Sequence, residues 1–279
     1  MSLAWLGVLP FLVYAAAFLL LPAANVMIGA FQSKSGGYTL ENVRALFDEP
    51  YRTAFKNSIE VSLVTAVLGG VVGFLLAYSA IREGTPKFIR TGLTTFSGVA
   101  ANFAGIPLAA AFIATLGILG VLTQFLAKHF DWNPWDHGFS LYTKTGVELV
   151  YLYFQIPLMI LVIAPAIDGL RREWREAASS LGASSWQFWR HVGIPIMLPS
   201  LLSAIVLLFG NSFAAYATAY ALTNGSLGLV PITIGFFLSG DVFDNPHLGQ
   251  ALAFGMFVVL AVMMLLYLPL QRVSSRWMK

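Results

Sequence analysis

The sequence predicts an all-α integral membrane protein that crosses the bilayer six times. Of its 279 residues, 58% are hydrophobic and only 10% are charged, whereas about a quarter of the residues in an ordinary soluble domain are charged. A soluble protein of this composition would expose large apolar patches and aggregate. The apolar runs are continuous rather than alternating, which favours transmembrane helices over the strands of a barrel.

Six apolar runs are long enough to span a bilayer, which takes about 20 residues. They cover 6–31, 58–81, 92–126, 147–167, 196–222 and 248–270. The first is interpreted as a retained span rather than a cleaved signal peptide, because it is longer than a typical signal sequence and no Lys or Arg precedes it. The third is too long for one straight span, and we expect it to break near Gly105 and Pro107. Since no internal repeat or linker is visible, 1–279 is expected to form one membrane domain.

The distribution of basic residues predicts the orientation. Ten of the 16 Lys and Arg residues lie in the segments 82–90 and 168–195 or in the C-terminal tail. Cytoplasmic connections of membrane proteins carry such an excess of Lys and Arg. Both chain termini and these two connections are therefore expected in the cytoplasm, with the six spans alternating in direction.

The other three connections, 32–57, 127–146 and 223–247, are then expected on the outer side. The first has the spacing of a short amphipathic surface helix at Leu40, Val43, Leu46 and Phe47. The second contains His and Asp side chains that could bind a divalent metal. These are His129, Asp131, Asp136 and His137. We favour a solvated interfacial loop at this position, so no metal site is predicted.

The connection 168–195 carries the most informative pattern. Its apolar residues follow the spacing i, i+3, i+4 and i+7 of one helix face. They are Trp174, Ala177, Ala178 and Leu181. Gly182 then favours a helix end. Ser184 and Gln187 have the spacing of a capping box that starts a second helix, and Pro195 can open the fifth span.

This pattern alone leaves two interpretations open: a helix that lies on the lipid surface, or a docking element for a partner. The segment resembles the signature loop of type I ATP-binding-cassette (ABC) importer permeases, which reads Glu-Ala-Ala, three residues, Gly, nine residues and Ile-x-Leu-Pro. The matching residues are Glu176, Ala177, Ala178, Gly182, Val192, Gly193, Ile194 and Pro195. Val192 and Ile194 depart from the signature but stay apolar. The six-span layout resembles the same family over nearly the whole chain.

The resemblance implies a coupling helix between the fourth and fifth spans. In that family this helix docks into a groove on a cytoplasmic ATPase, and the closure of two ATPase subunits on ATP drives alternating access. The implied docking residues here are Glu176, Ala177, Ala178, Leu181 and Gly182. The sequence has no Gly-x-x-x-x-Gly-Lys-Ser/Thr phosphate loop. We therefore expect a chain that is not an enzyme, has no catalytic residue and binds no cofactor, with ATP and Mg²⁺ held by a separate subunit.

The resemblance also implies partners and a location. They are a cytoplasmic ABC ATPase dimer, a second permease, an extracytoplasmic substrate-binding protein and membrane lipid. For the second permease, a paralogue is preferred to a second copy of this chain. The location is the bacterial inner membrane, with multiple passes. No long basic run suggests nucleic-acid binding.

Polar residues at bilayer depth are costly and often mark a transport pathway. The candidates are Asn211, Tyr216 and Tyr220 in the fifth predicted span, Gln155 in the fourth and Asn102 in the third. Taken singly, each is explained at least as well by hydrogen bonding between helices. No charged residue lies deep in a span, so a charged substrate would need polar or aromatic contacts.

The substrate is predicted only by family resemblance. The chain looks most like the spermidine/putrescine-type permeases, which predicts a polyamine or another small charged solute. The alternatives are a sugar, sulfate or molybdate, ferric iron, thiamine or a phosphonate. A secondary transporter without an ATPase is the alternative of another class, and it predicts buried ionisable residues or inverted repeats. An integral-membrane enzyme would need a catalytic motif such as His-Glu-x-x-His. The sequence shows neither the features of a secondary transporter nor such a catalytic motif.

Overall fold

A computed structural model describes residues 4–33, 35–81, 85–238 and 245–275. Within these ranges regular structure is helical apart from one isolated β-bridge between Gln32 and Tyr38, which confirms the all-α fold class. The α-helices are α1 Ala4–Ala15, α2 Leu21–Gly29, α3 Glu41–Ala45, α4 Tyr51–Ile81, α5 Lys87–Ala100, α6 Ile106–Leu116, α7 Val121–Phe130, α8 Lys144–Asp168, α9 Arg172–Ser180, α10 Ser185–Phe188, α11 Ile194–Phe213, α12 Ala217–Thr223, α13 Val230–Leu238 and α14 Pro246–Ser275. Two π-helical turns, Ala16–Leu20 and Trp189–Gly193, and one 3₁₀ turn, Pro134–His137, complete the order.

Six helical segments of the described chain are long and apolar enough to cross a membrane, as predicted. They are Val8–Gly29, Tyr51–Ile81, Ile106–Phe130, Lys144–Asp168, Ser185–Phe213 and His247–Leu268. Each lies on one of the six predicted spans, although the bounds of the second, third and fifth differ.

The third predicted span is broken where the sequence indicated. Helix α5 ends at Ala100 and α6 begins at Ile106, with Gly105 between them at a φ of 75°. This left-handed backbone conformation is open to glycine and strained for most other residues. Pro107 lies in the first turn of α6, where its missing N–H costs no helical hydrogen bond. The spanning segment therefore starts after the break, and α5 precedes it as a separate helix.

The fifth span differs from the prediction, which placed its end at residue 222. Helix α11 ends at Phe213, and α12 begins only at Ala217. The Tyr151 hydroxyl donates a 2.8 Å hydrogen bond to the carbonyl of Ala215 at this interruption. A side chain of another helix thus satisfies a backbone group released by the break. At the other end Pro195 lies in the first turn of α11, as predicted.

Two of the connections that the sequence assigns to the outer side, 32–57 and 223–247, also contain helices. The connection 223–247 contains a helix, α13, whose nine residues are about 13 Å long and cannot cross a bilayer core. The predicted surface helix of the first connection exists as α3, but its neighbour Leu46 is buried. Leu40 and Phe47, which flank α3, are exposed, so only part of the predicted apolar face packs into protein.

The chain divides into two compact units, and residues 1–56 and 228–261 form the first. Its core brings Leu46, Val230 and Leu252 together. Within this unit the buried Asn42 side chain donates to the carbonyl of Gln32 at 2.8 Å and accepts from the Asn245 side chain at 2.7 Å. Because a buried amide is costly unless it is hydrogen-bonded, these contacts stabilise the connection 32–57.

The second unit comprises 57–227 and 262–279. Its helix α8 packs against α4, α5 and α11. Gly69 and Gly73 lie one turn apart on α4, where an added Cβ would press against Gln155 and Met159 of α8. Small residues at this spacing let two membrane helices approach closely. The expectation of one membrane domain over 1–279 stays a prediction.

Most of the apolar surface of the first span, Val8–Gly29, is uncovered within the described chain. The most apolar window of Val8–Gly29 contains no buried residue, and large side chains such as Phe11, Phe18 and Leu21 are exposed. A helix that is apolar on all sides needs an apolar environment. Lipid or a second membrane subunit must supply it.

Candidate functional site

Helix α9 forms the first half of the 168–195 connection and ends as its sequence predicts. Gly182 follows it at a φ of 77°. The N–H of Ala183 donates to the carbonyl of Ala178 at 3.0 Å, and the N–H of Gly182 donates to the carbonyl of Ser179 at 2.9 Å. This pair of hydrogen bonds is the Schellman motif, which satisfies the last carbonyls of a helix and favours glycine at this position.

The second helix of the connection starts with the predicted capping box. The Ser184 hydroxyl accepts from the N–H of Gln187 at 3.3 Å, and the Gln187 side chain accepts from the N–H of Ser184 at 2.7 Å. Helix α10 begins directly after Ser184 and continues through the π turn into α11. The two caps fix the loop as helix, glycine turn and helix.

The residues implied as a docking surface lie together on α9 and the turn that follows it. Glu176, Ala177 and Gly182 are exposed, and Ala178 is half-buried. Leu181 is 87% exposed. Beside them, Glu176 accepts a 2.7 Å hydrogen bond from Arg172 one turn earlier. These residues thus form a partly apolar surface of mostly short side chains that is exposed in this chain.

The opposite side of the loop is tied to the end of α4. Arg175 donates a 2.7 Å hydrogen bond to the hydroxyl of Tyr78, and its guanidinium lies 5.5 Å from the centre of the Phe188 ring. The Trp189 ring meets Tyr78 edge to face, with centroids 4.7 Å apart. These contacts join the 168–195 connection to the end of α4, a spanning helix.

A second candidate site lies where the two interrupted helices meet. The backbone N–H of Gly105 donates a 2.7 Å hydrogen bond to Thr218 Oγ1, so the break before α6 contacts the first turn of α12. A cavity of about 310 Å³ opens at this place. Its wall includes Asn211 and Tyr216 from the fifth span and Phe154 from α8.

The structure brings together some of the predicted pathway residues. Asn211 and Tyr216 line the cavity. Gln155 is fully buried beside it, donating to the carbonyl of Leu208 at 2.8 Å and accepting from Asn211 at 3.3 Å. Tyr220 shares a helix face with Tyr216, as expected, and their rings stack 5.3 Å apart. Their position in the pathway itself stays a prediction.

Asn102 does not lie in mid-helix as expected. It is exposed in the turn after α5 and donates to the carbonyl of Gly98 at 2.9 Å. Sequence reasoning also missed Tyr151, Phe154 and Thr218. The signal available for Thr218 was a hydroxyl within an apolar run, next to the predicted Tyr216.

The electrostatic character of this cavity comes from dipoles. Among the described residues its wall carries no Asp, Glu, Lys or Arg. The 11-residue helix α6 starts at the cavity, with Gly105 as an N-cap that offers no side-chain hydrogen bond. The positive end of that helix dipole therefore faces the wall. The hydroxyl and amide groups of the wall add hydrogen-bonding capacity without net charge.

The His and Asp residues of the connection 127–146 belong to no metal-binding group among the described residues. Across the described ranges, no three His, Cys, Asp or Glu side chains form a group that could hold a metal ion. His129 Nδ1 instead lies 3.0 Å from the carbonyl of Phe125, and His137 Nδ1 lies 2.9 Å from that of Asn133. Local backbone contacts thus occupy one nitrogen of each ring.

Comparison with known proteins places these features in a family. Residues 69–279 match the family model described as the binding-protein-dependent transport system inner membrane component. The chain is 27% identical over 229 residues to the sulfate transport system permease protein CysT of Salmonella typhimurium, covering 80% of this chain and 76% of that protein.

Solved structures support the same fold. A bacterial ABC transporter involved in the import of the acidic polysaccharide alginate superposes with a TM-score of 0.73 at 19% identity, covering 99% of this chain and 96% of that chain. The alginate transporter in complex with an alginate pentasaccharide-bound periplasmic protein gives 0.71 at 19% identity, covering 95% and 92%. The matched region includes the whole signature loop, four complete spans and the last part of the second span. This chain therefore belongs to the binding-protein-dependent transport system inner membrane components, and it is the multi-pass inner-membrane permease subunit of a type I ABC importer.

Proposed function

We propose that this permease carries sulfate or a similar tetrahedral oxyanion, such as molybdate, into the cell. The observation that carries the proposal is the similarity to a sulfate permease across 80% of the chain. Sulfate was one of the alternatives drawn from the sequence. The similarity gives no support to the polyamine that the sequence put first.

The cavity at the helix breaks offers a chemistry compatible with this substrate. Its lining includes Asn211, Tyr216 and Thr218, whose side chains carry an amide or a hydroxyl group, together with Gly105 at the start of α6. Hydrogen-bond donors and a positive helix end stabilise an oxyanion. A polyamine would instead find no carboxylate among the described wall residues with which to pair its ammonium groups. A site built from dipoles can also release its ligand, as transport requires.

In the proposed transport cycle, the ATPase drives the permease through the exposed loop. An ABC ATPase dimer docks at Glu176, Ala177, Ala178, Leu181 and Gly182. Its ATP and Mg²⁺ stay on the ATPase, and this chain performs no hydrolysis. The exposed Leu181 and the Arg175–Tyr78 contact support this role, because they supply an open surface and a connection to α4.

The remaining partners belong to the same proposal. A second permease, a paralogue in preference to another copy of this chain, completes the pathway, and the mostly uncovered apolar surface of the first span is consistent with a neighbour in the membrane. A substrate-binding protein delivers the ligand on the outer side. Both termini and the segment 168–195 face the cytoplasm, which the excess of basic residues in these regions supports.

The test is uptake by the reconstituted complex. The chain is co-expressed with its genomic neighbours, purified and placed in liposomes with ATP enclosed and the binding protein outside. We expect accumulation of ³⁵S-sulfate that requires both ATP and the binding protein and that is inhibited by unlabelled molybdate but not by spermidine. Accumulation of labelled spermidine with no sulfate uptake would contradict the proposed substrate. Uptake without any ATPase would contradict the importer mechanism.

A further inference from the structure

Four side chains meet where the connection 168–195 lies against the end of α4. Arg175 of α9 donates a 2.7 Å hydrogen bond to the hydroxyl of Tyr78 on α4, and its guanidinium lies 5.5 Å from the centre of the Phe188 ring of α10. The Tyr78 ring meets Trp189, in the π turn after α10, edge to face with centroids 4.7 Å apart. Because a charged hydrogen bond and an aromatic pair both prefer defined geometries, these contacts hold α9 and the π turn in a defined position against α4.

The π turn Trp189–Gly193 contains a second close contact of the same tryptophan. An added Cβ at the buried Gly193 would lie 2.6 Å from Trp189 Cε3, so the ring packs directly on the backbone of this glycine. The ring is thus held by Gly193 within its own turn and by Tyr78 on α4, and a larger residue at 193 would press it out of place. Turns with π-helical hydrogen bonding are rare and are often found at functional sites.

Helix α4 leads from these contacts to the cavity at the helix breaks. Thr65 precedes Tyr78 on this helix by about 20 Å, at about 1.5 Å per residue, and its hydroxyl is hydrogen-bonded to that of Ser212 at 3.0 Å. Ser212 is the neighbour of Asn211, which lines the cavity. Both bonded hydroxyls are buried, where each would be costly without its partner. Helix α4 thus contacts the connection 168–195 at one point and the helix that carries Asn211 at another.

We propose that Arg175, Tyr78 and Trp189 are positioning residues through which an ATP-driven movement of the connection 168–195 reaches α4 and the cavity. This inference rests on the proposed docking of an ATPase at the connection. Binding and transmission are then carried out by different residues: the surface around Glu176 and Leu181 binds the ATPase, and the three positioning residues pass its movement on. Chains of packed and hydrogen-bonded side chains carry such coupling between distant sites.

The separation of the two tasks predicts a complex that is assembled but uncoupled. Removal of the Tyr78 hydroxyl leaves the docking surface unchanged, so the ATPase should still bind and hydrolyse ATP at its basal rate. Stimulation of hydrolysis by the binding protein on the outer side has to cross the spans, so it should be lost together with solute uptake. A role of Tyr78 in folding alone would not produce this combination.

The test uses the complex recovered by co-expression and reconstituted in liposomes, with the binding protein carrying the ligand with which it is purified. The variants are Tyr78→Phe, which keeps the ring, Arg175→Gln, and the two together. Gly193→Ala displaces the Trp189 ring, and Gly169→Ala in the same connection is its matched control, because an added Cβ there meets nothing closer than 3.5 Å. Copurified ATPase, basal hydrolysis, stimulation by the binding protein and ³⁵S-sulfate uptake per ATP are measured.

Every variant should recover the ATPase and hydrolyse ATP at the basal rate of the wild type. Stimulation by the binding protein should fall at least about fivefold in all of them except Gly169→Ala, which is the lower end of typical coupling between two sites. The double variant should lose no more than Arg175→Gln alone, because both changes break the same hydrogen bond. Stimulation at the wild-type level in Tyr78→Phe, or a loss in the double variant equal to the product of the two single losses, would overturn the proposal.

The two readouts distinguish this proposal from the proposed substrate. If the binding protein stimulates the wild type without sulfate uptake, the substrate is wrong, and the loss of stimulation in the variants still supports the positioning residues. If Tyr78→Phe no longer recovers the ATPase, the separation of binding from transmission is wrong. If the wild type recovers no ATPase, or shows neither stimulation nor uptake, the proposed function fails and this proposal fails with it.

Discussion

Gly105 and Thr218 are 113 positions apart in sequence, yet the backbone N–H of one donates to the hydroxyl of the other at 2.7 Å. The bond connects the break before α6 to the start of α12. Each break leaves backbone groups without helical partners in a region that is expected to exclude water. Side chains from other helices satisfy them here, which is the condition for a non-helical segment at membrane depth.

Thr218→Val is expected to leave the Gly105 N–H without its partner. A buried donor that loses its acceptor costs about 1–3 kcal/mol, although hydrogen bonds in membrane proteins often contribute only about 0.6 kcal/mol. We predict a lower thermal unfolding temperature in detergent and slower ³⁵S-sulfate uptake. Thr218→Ser, which keeps the hydroxyl, should restore both. Equal uptake by the Val and Ser variants would show that this bond has no part in the pathway.

Gly73→Ala and Gly98→Ala make the same chemical change in two helices with opposite expected effects. An added Cβ at Gly73 would lie 2.7 Å from the carbonyl oxygen of Ile156, so α4 and α8 must separate, at a cost of about 1–3 kcal/mol. At Gly98 nothing lies within 4 Å of the added atom. Alanine there should stabilise α5 by up to about 1 kcal/mol. Thermal unfolding of both variants tests the close packing of α4 on α8, and destabilisation of equal size in both would contradict it.

Leu181→Ser tests the exposed docking surface. The side chain is 87% exposed in the isolated chain, so its removal should leave the unfolding temperature unchanged. If an ATPase covers it, the loss of a buried leucine, about 1.5–3 kcal/mol, should weaken ATPase binding about tenfold or more. Leu181→Met keeps an apolar side chain and should bind almost as wild type. The measurement is the affinity of the purified ATPase for each variant in nanodiscs, and identical affinities would remove Leu181 from the dock.

The signature loop was predictable because local interactions decide it. Gly182, Ser184 and Gln187 form their turn and capping box within a few residues, and the sequence pattern already contains these partners. The break at Gly105 was predictable for the same reason, since glycine and Pro107 disfavour a continuous helix locally. The six apolar runs were each long enough to predict a span, so the number of spans was predictable too.

The break in the fifth span could not be predicted in this way. The residues around it include Ala214 and Ala215, and alanine is the best helix former. Tertiary hydrogen bonds take the place of helical ones here. The Tyr151 hydroxyl donates to the carbonyl of Ala215, and the Thr218 hydroxyl accepts from the N–H of Gly105. Because these partners lie far away in sequence, no local pattern reveals them. The same limit explains why Asn211 and Tyr216 were assigned to one helix, although they belong to two segments on either side of the break.

The most direct test of ATP coupling through the loop is recovery of the ATPase with charge variants of Glu176. Glu176→Arg reverses the charge at the dock but also places two cations one turn apart, because Arg172 pairs with Glu176 in the wild type. Such like-charge pairs destabilise a helix by about 0.2–0.5 kcal/mol. The exchange Arg172→Glu with Glu176→Arg restores the local ion pair and keeps the reversed charge, so it separates helix stability from docking.

The chain is co-expressed with its genomic neighbours, purified through a tag on the permease, and the copurified ATPase is quantified for wild type, Glu176→Arg and the exchange variant. We predict that the wild type recovers the ATPase and that both variants lose it while remaining folded in detergent. Recovery of the ATPase by the exchange variant at the wild-type level would show that the Glu176 charge is not part of the dock. If the stable wild-type chain recovered no ATPase at all, the proposed coupling through this loop would be wrong.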